Sequence, residues 1–176
     1  MIMFYFVNDC PCESENAKII VLNDSINSKE KLFDFYGESL KFPYNTVTNF
    51  NAFRDVMEEL EWLKEREIKI YHESLPLIDE NAMKAYLDYL NLIDVEWEKL
   101  PERINIIRQN YKRIGKTIPV DSWINRPPKI INIYFQIKLK PYVYRILHDY
   151  SWDFRRCISF DEKGQESIDF IARYPR

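Results

Sequence analysis

The sequence predicts an α/β fold built on a small parallel sheet, followed by a strand-rich extension. Short β-branched runs at residues 17–23 and 67–72 alternate with longer stretches whose apolar residues recur at helical spacing. That alternation is the pattern of βαβ crossovers, which lay strands side by side in parallel. Residues 129–140 alternate strongly, with Ile131, Ile133, Phe135, Ile137 and Leu139 on one face, the signature of a half-buried strand. With 176 residues, 46% of them hydrophobic and 30% charged, the chain has material for a real core.

Met1 to Val7 is apolar and reads as a first strand. It is too short to span a bilayer, lacks a basic leader and runs straight into Asn8-Asp9, so no targeting or membrane segment is expected. Ala17 to Asn23 is the next strand. Asn27 or Ser28 can cap the helix that follows, in which Leu32, Phe33, Tyr36 and Leu40 share a face. Pro43 stops it and biases Phe42 towards extended geometry. Tyr44 to Thr48 is a polar loop, and Thr48 or Asn49 caps a second helix running to about Glu65.

This second helix carries an apolar stripe of Phe50, Phe53, Val56, Met57, Leu60 and Leu63. Opposite it lie Asn51, Asp55, Glu58, Glu59 and Trp62, an acidic face with one large aromatic. Glu67 to His72 alternates as a strand, Leu75 to Ile78 links, and Asp79 caps a third helix through about Trp97. Beyond Pro101, Ile104, Ile107 and Tyr111 suggest a separate short basic helix ending at Gly115. Pro119 to Pro128 is a loop. Ile131, Ile133, Phe135, Ile137 and Leu139 then form one face of a strand over residues 129–140. Arg156 to Asp161 and Ser167 to Arg173 read as a hairpin turning through residues 162–165.

Several chemistries lack their raw material. Three glycines do not supply phosphate-cradling loops or a dinucleotide fingerprint. Two histidines, His72 and His148, offer little for general-base catalysis. Cys10 and Cys12 with Cys157 match no zinc-finger spacing, and three sparse cysteines fit a reduced, cytoplasmic setting. His148-Asp149 with Asp153 has no nucleophile or oxyanion motif beside it. No enzyme activity, cofactor or metal is expected.

Charge is segregated. Residues 1–100 hold 10 basic and 20 acidic side chains, or -10; residues 101–176 hold 15 and 8, or +7; together they give the net -3. An acidic front half suits a basic partner.

Leu40-Lys41-Phe42-Pro43, a five-residue loop, and Asn49-Phe50-Asn51-Ala52-Phe53-Arg54-Asp55 together resemble the barstar family, small intracellular inhibitors of the ribonuclease barnase. The family pattern is a helix ending in Leu-x-(Phe/Leu)-Pro, an aromatic loop, then Asn-apolar-Asp-Ala-apolar-x-Asp opening the inhibitory helix. The resemblance covers roughly residues 18–97. It implies a three-stranded parallel sheet with helices packed around it, the third strand being residues 129–139 after an insertion over about 100–128. Residues 1–140 would then form the domain, with an extra N-terminal strand, and residues 141–176 an extension with a hairpin. The loop here reads Asn45-Thr46-Val47 where the family carries Tyr-aromatic-Gly, the first inhibitory Asp is Asn51, and the aromatic before the second is Arg54. Asp55 alone keeps the inhibitory carboxylate.

What the resemblance implies for function is a non-catalytic inhibitor or immunity protein, the antitoxin of a toxin–antitoxin pair. Its partner would be a basic nuclease toxin. A carboxylate on a rigid helix can occupy a nuclease's cationic cleft in place of phosphate, accepting paired hydrogen bonds from Arg. Asp55 would be that mimic. Asn51 stands one turn before it, Glu58 and Glu59 extend the field, and Tyr44, Asn45 and Trp62 add contact. The alternative is an RNA-binding or assembly module using the basic half, where Arg103, Arg108, Tyr111, Lys112 and Arg113 interleave. The net acidity ranks nucleic acid below protein as a partner, and the oligomeric state stays open.

Overall fold

In a computed structural model, residues 3–43, 47–120, 122–125, 127–148, 155–160 and 166–171 are described. They form a single six-stranded sheet with four helices. The elements run β1 (Met3–Val7), β2 (Ala17–Leu22), α1 (Lys29–Leu40), α2 (Phe50–Glu59), β3 (Glu67–His72), α3 (Glu80–Arg113), β4 (Ile130–Gln136), α4 (Lys140–His148), β5 (Arg155–Phe160) and β6 (Glu166–Ile171). The sheet order is β2-β3-β4-β1-β5-β6, parallel at every junction except β5–β6.

The expected trio is present as β2-β3-β4, but the sheet does not stop at three strands. β1 adds to β4 with Phe4 opposite Ile133, and the C-terminal hairpin continues from β1 through β5. An apolar N-terminal strand cannot leave its ladder open in water, so it enters the sheet rather than standing apart.

α1, α2 and α3 each start where a short polar side chain can accept an orphan N–H. Ser28, Asn49 and Asp79 take the amides of Lys31, Ala52 and Ala82 at 3.2, 3.0 and 2.9 Å. α1 ends with Lys41 in the left-handed region (φ 52°) and the Phe42 N–H donating to the Gly37 carbonyl.

Inward positions of the strands, Phe4, Phe6, Ile20, Leu22, Ile68, Ile70, Ile131, Ile133 and Phe135, meet the helices in one core. The helices therefore cover one face. The chain returns from β1 to β2, the far edge, across the other face. Residues 8–16 make that return, tied down by Lys69 Nζ donating to the Cys12 carbonyl at 3.0 Å. Reversing both the direction and the face keeps this crossover right-handed, like those made by the helices.

Three boundaries differ from the sequence reading. α2 stops at Glu59, not Glu65, because Leu60 and Leu63 are both drawn into the core and Leu60 takes φ 25° to turn there. The two helices expected around Pro101 are one helix of 34 residues, about 51 Å long. Proline removes the amide that would reach the Trp97 carbonyl. Buried Trp97 and Ile104 on either side hold the helix to the domain across that gap. The strand at 129–140 ends at Gln136, where Ile137–Leu139 form a 3₁₀ turn leading into α4. Pro141 sits in the first turn of α4, where a missing amide is harmless.

Trp97 ties α3 to α2: the residue is 8% exposed and its Nε1–H donates to the Met57 carbonyl at 3.0 Å. Trp97→Ala is expected to lose about 3–5 kcal/mol of unfolding free energy by urea denaturation. A loss under about 1 kcal/mol would show that the two helices pack without it.

Candidate functional site

The end of α2, the turn after it and the middle of α3 enclose a groove of about 780 Å³. Its acidic lining is Asp55, Glu58, Glu59 and Glu61 from the α2 side and Glu96 from α3. Trp97 and Leu100 supply apolar lining, and Lys64, Arg103 and Lys129 supply cations.

The apolar stripe of α2 dictates which residues face out. Phe53, Val56 and Met57 are buried, so Asn51, Asp55, Glu58 and Glu59 are turned to solvent. The Asp55 side chain is 66% exposed, and among the described residues its one ion-pair partner is the neighbouring Arg54, at 3.4 Å. Arg54 also reaches Glu58 one turn on, at 3.3 Å. Partial burial raises the Glu58 carboxyl above its ordinary value; Glu96 and Asp55 add to the rise and Arg54 opposes it.

Asn51 is exposed but held: the Tyr89 hydroxyl of α3 donates to its Oδ1 at 2.5 Å, and the Tyr89 ring stacks on Phe50. Trp62 is not on the helix face expected of it. With α2 ending early, Trp62 is half-buried, its Nε1–H donates to the Leu40 carbonyl at 2.8 Å and its ring meets Phe42 edge-on. It secures the end of α1 instead of lying among the carboxylates. Tyr44 and Asn45 lie outside the described residues.

The groove lining contains Lys129, a residue of the basic half that no local pattern assigns to this site. Lys129 is 9% exposed, and its ammonium donates to the carbonyls of Leu63 and Glu65 at 2.5 and 2.8 Å. Burial pushes its pKa down, with Glu65 pulling the other way. It pins the turn after α2, and thereby the carboxylates that turn carries. The contact spans 64 residues or more in sequence, so no local pattern announces it. Lys129→Met is expected to destabilise the chain by about 1–3 kcal/mol, read by urea denaturation, because one buried and one part-buried carbonyl lose their donor. An unchanged midpoint would show that the turn holds itself. Glu96 and Arg103, seven residues apart, form an ion pair beside the groove. That pair is legible only to a reader who lets the helix run through Pro101.

Beneath the sheet–helix interface lies a buried polar chain. His72 Nδ1–H donates to the Tyr134 carbonyl (3.0 Å), which leaves Nε2 to accept from the Tyr86 hydroxyl (2.7 Å), and Tyr86 in turn accepts from Tyr36 (2.6 Å). Each polar atom of the three side chains is satisfied by one assignment of protons, with a neutral imidazole. His72 is thus a structural histidine. Among the described residues, no group of His, Cys, Asp and Glu can hold a metal ion, and no helix is long and apolar enough to cross a membrane.

The family model described as Barstar (barnase inhibitor) matches residues 17–111, which takes in β2, α1, α2, β3 and nearly all of α3. No curated protein and no solved structure matches the chain.

Proposed function

The chain belongs to the barstar (barnase inhibitor) family, and from that premise we propose that it is a non-catalytic inhibitor of a cytotoxic ribonuclease, acting in the cytoplasm as an immunity protein. The observation that carries this reading is the Asp55 carboxylate, outward-facing on a helix whose other face is locked in the core. Asp55 takes the position of a phosphate in the ribonuclease's cationic cleft and accepts hydrogen bonds from its Arg or Lys side chains. Glu58, Glu59, Glu61 and Glu96 surround it with negative potential that speeds encounter with a basic protein. Asn51, held by Tyr89, offers an uncharged polar contact one turn away. Tyr44, Asn45 and Trp62 complete the proposed contact set, Trp62 by fixing the loop end rather than by inserting.

Arg54 gives this interface its own character. It sits between Asp55 and Glu58 and offsets part of their charge. A cleft matching this helix has cations for Asp55 and a neutral or anionic group where Arg54 arrives.

The immobilised full-length chain is expected to retain a basic ribonuclease from extracts of the cell that makes it, and to slow that enzyme's cleavage of RNA. Retention should weaken as salt is raised, since exposed charges steer the encounter. Recovery of the chain alone, or of proteins whose nuclease activity is untouched by it, would contradict the reading.

A further inference from the structure

We propose that the distal half of α3 is a second docking surface, shaped for an acidic amphipathic helix of a partner protein. From the rim of the groove, which Arg103 lines, outward along α3, Lys99, Arg103, Ile106, Asn110 and Arg113 follow one another at alternating steps of four and three residues. That spacing averages 3.5, the repeat that keeps one seam of a helix facing another helix. All five are exposed, and Ile106, in the middle, is 51% exposed. Arg103 pairs with Glu96, while neither Lys99 nor Arg113 has an ion-pair partner among the described residues.

The charge pattern selects the occupant. A second copy of this chain is a poor fit: pairing antiparallel about Ile106 sets Lys99 against Arg113, and pairing in parallel sets each cation against itself. RNA would answer the cations with phosphate but leave Ile106 in water. It would also meet the five carboxylates of the adjoining groove. No exposed aromatic lies on the seam to stack a base. A helix carrying glutamates on either side of one central aliphatic residue satisfies both the cations and Ile106.

The test uses a fluorescent helical peptide of about 18 residues, with glutamate at the seam positions and one central leucine, titrated into the full-length chain and read by anisotropy. Binding is expected, weakening with salt, and K99E/R113E should reduce affinity about tenfold or more. I106A should reduce it several-fold without altering the salt dependence. D55A should leave it unchanged, so the outcome is independent of the nuclease reading. Equal binding of a scrambled peptide of the same composition would overturn the proposal. So would tighter binding of an RNA duplex of about 20 base pairs, an unchanged affinity in K99E/R113E, or a dimer in sedimentation that I106A abolishes. Circular dichroism of each variant checks that the fold is intact, which substitutions on an exposed seam should preserve.

Discussion

Asp55→Ala is expected to weaken the complex with the target ribonuclease by roughly 2–5 kcal/mol, or about thirtyfold to several-thousandfold. The size of the effect follows from what the substitution leaves behind. In the complex the carboxylate is enclosed with the cations of the cleft, and removing it strands those cations without water or counter-charge. Most of the loss should fall on dissociation, because a single buried contact governs how long the complex lasts. Free in solution, by contrast, Asp55 is largely exposed and its neighbour Arg54 is half in water, so the folding stability of the variant should hardly change. This separation of binding from stability is what distinguishes a partner-directed side chain from a structural one. Glu58→Gln and Glu59→Gln should act mainly on association and lose their effect at high salt.

The second large effect concerns acid. Burial holds the His72 imidazole at about 4, against an ordinary value of 6.5. Between those values the unfolded chain binds a proton that the folded chain refuses, so folding weakens as pH falls through the window. The loss by its lower end is roughly 3 kcal/mol. Above pH 6.5 the imidazole is neutral in both states and adds no slope. Protonation would cost Nε2 its acceptor role and confront the Tyr86 hydroxyl, which already accepts from Tyr36, with a second donor, and among the described residues no carboxylate pairs with the imidazole to compensate. Urea denaturation at a series of pH values should show the slope in the native chain and a flatter one in His72→Gln. Parallel slopes in the two would assign the acid sensitivity to other groups.

Much of this fold was legible because its local and tertiary preferences agree. The stripe of α2 identified its buried residues and, Trp62 apart, its outward ones; Asp79 is the cap the sequence indicates, and Ser28 and Asn49 prove to be the caps out of the pairs Asn27 or Ser28 and Thr48 or Asn49. The alternation of β4 was read correctly up to Gln136. The misreadings came where tertiary packing overrode a local signal. Pro101 looks like a terminator, yet Trp97 and Ile104 carry the helix past it. Trp62 falls on the acidic face of an ideal wheel, but burial of Leu60 and Leu63 bends the chain before Trp62 is reached. β1 was visible as a strand, while its place between β4 and β5 depends on pairing that no local pattern encodes. At the candidate site, the α2 residues could be found from the sequence. Lys129 and the α3 wall could not, because they arrive from 30 or more residues away.

The most direct test of the central claim, that an outward carboxylate fills a ribonuclease's phosphate site, is a competition titration with the captured enzyme. The full-length chain should abolish RNA cleavage at a 1:1 ratio, with inorganic phosphate or a mononucleotide displaced as it binds and retained when Asp55→Ala is used instead. Inhibition that leaves the mononucleotide bound, or that is equally strong with Asp55→Ala, would contradict it.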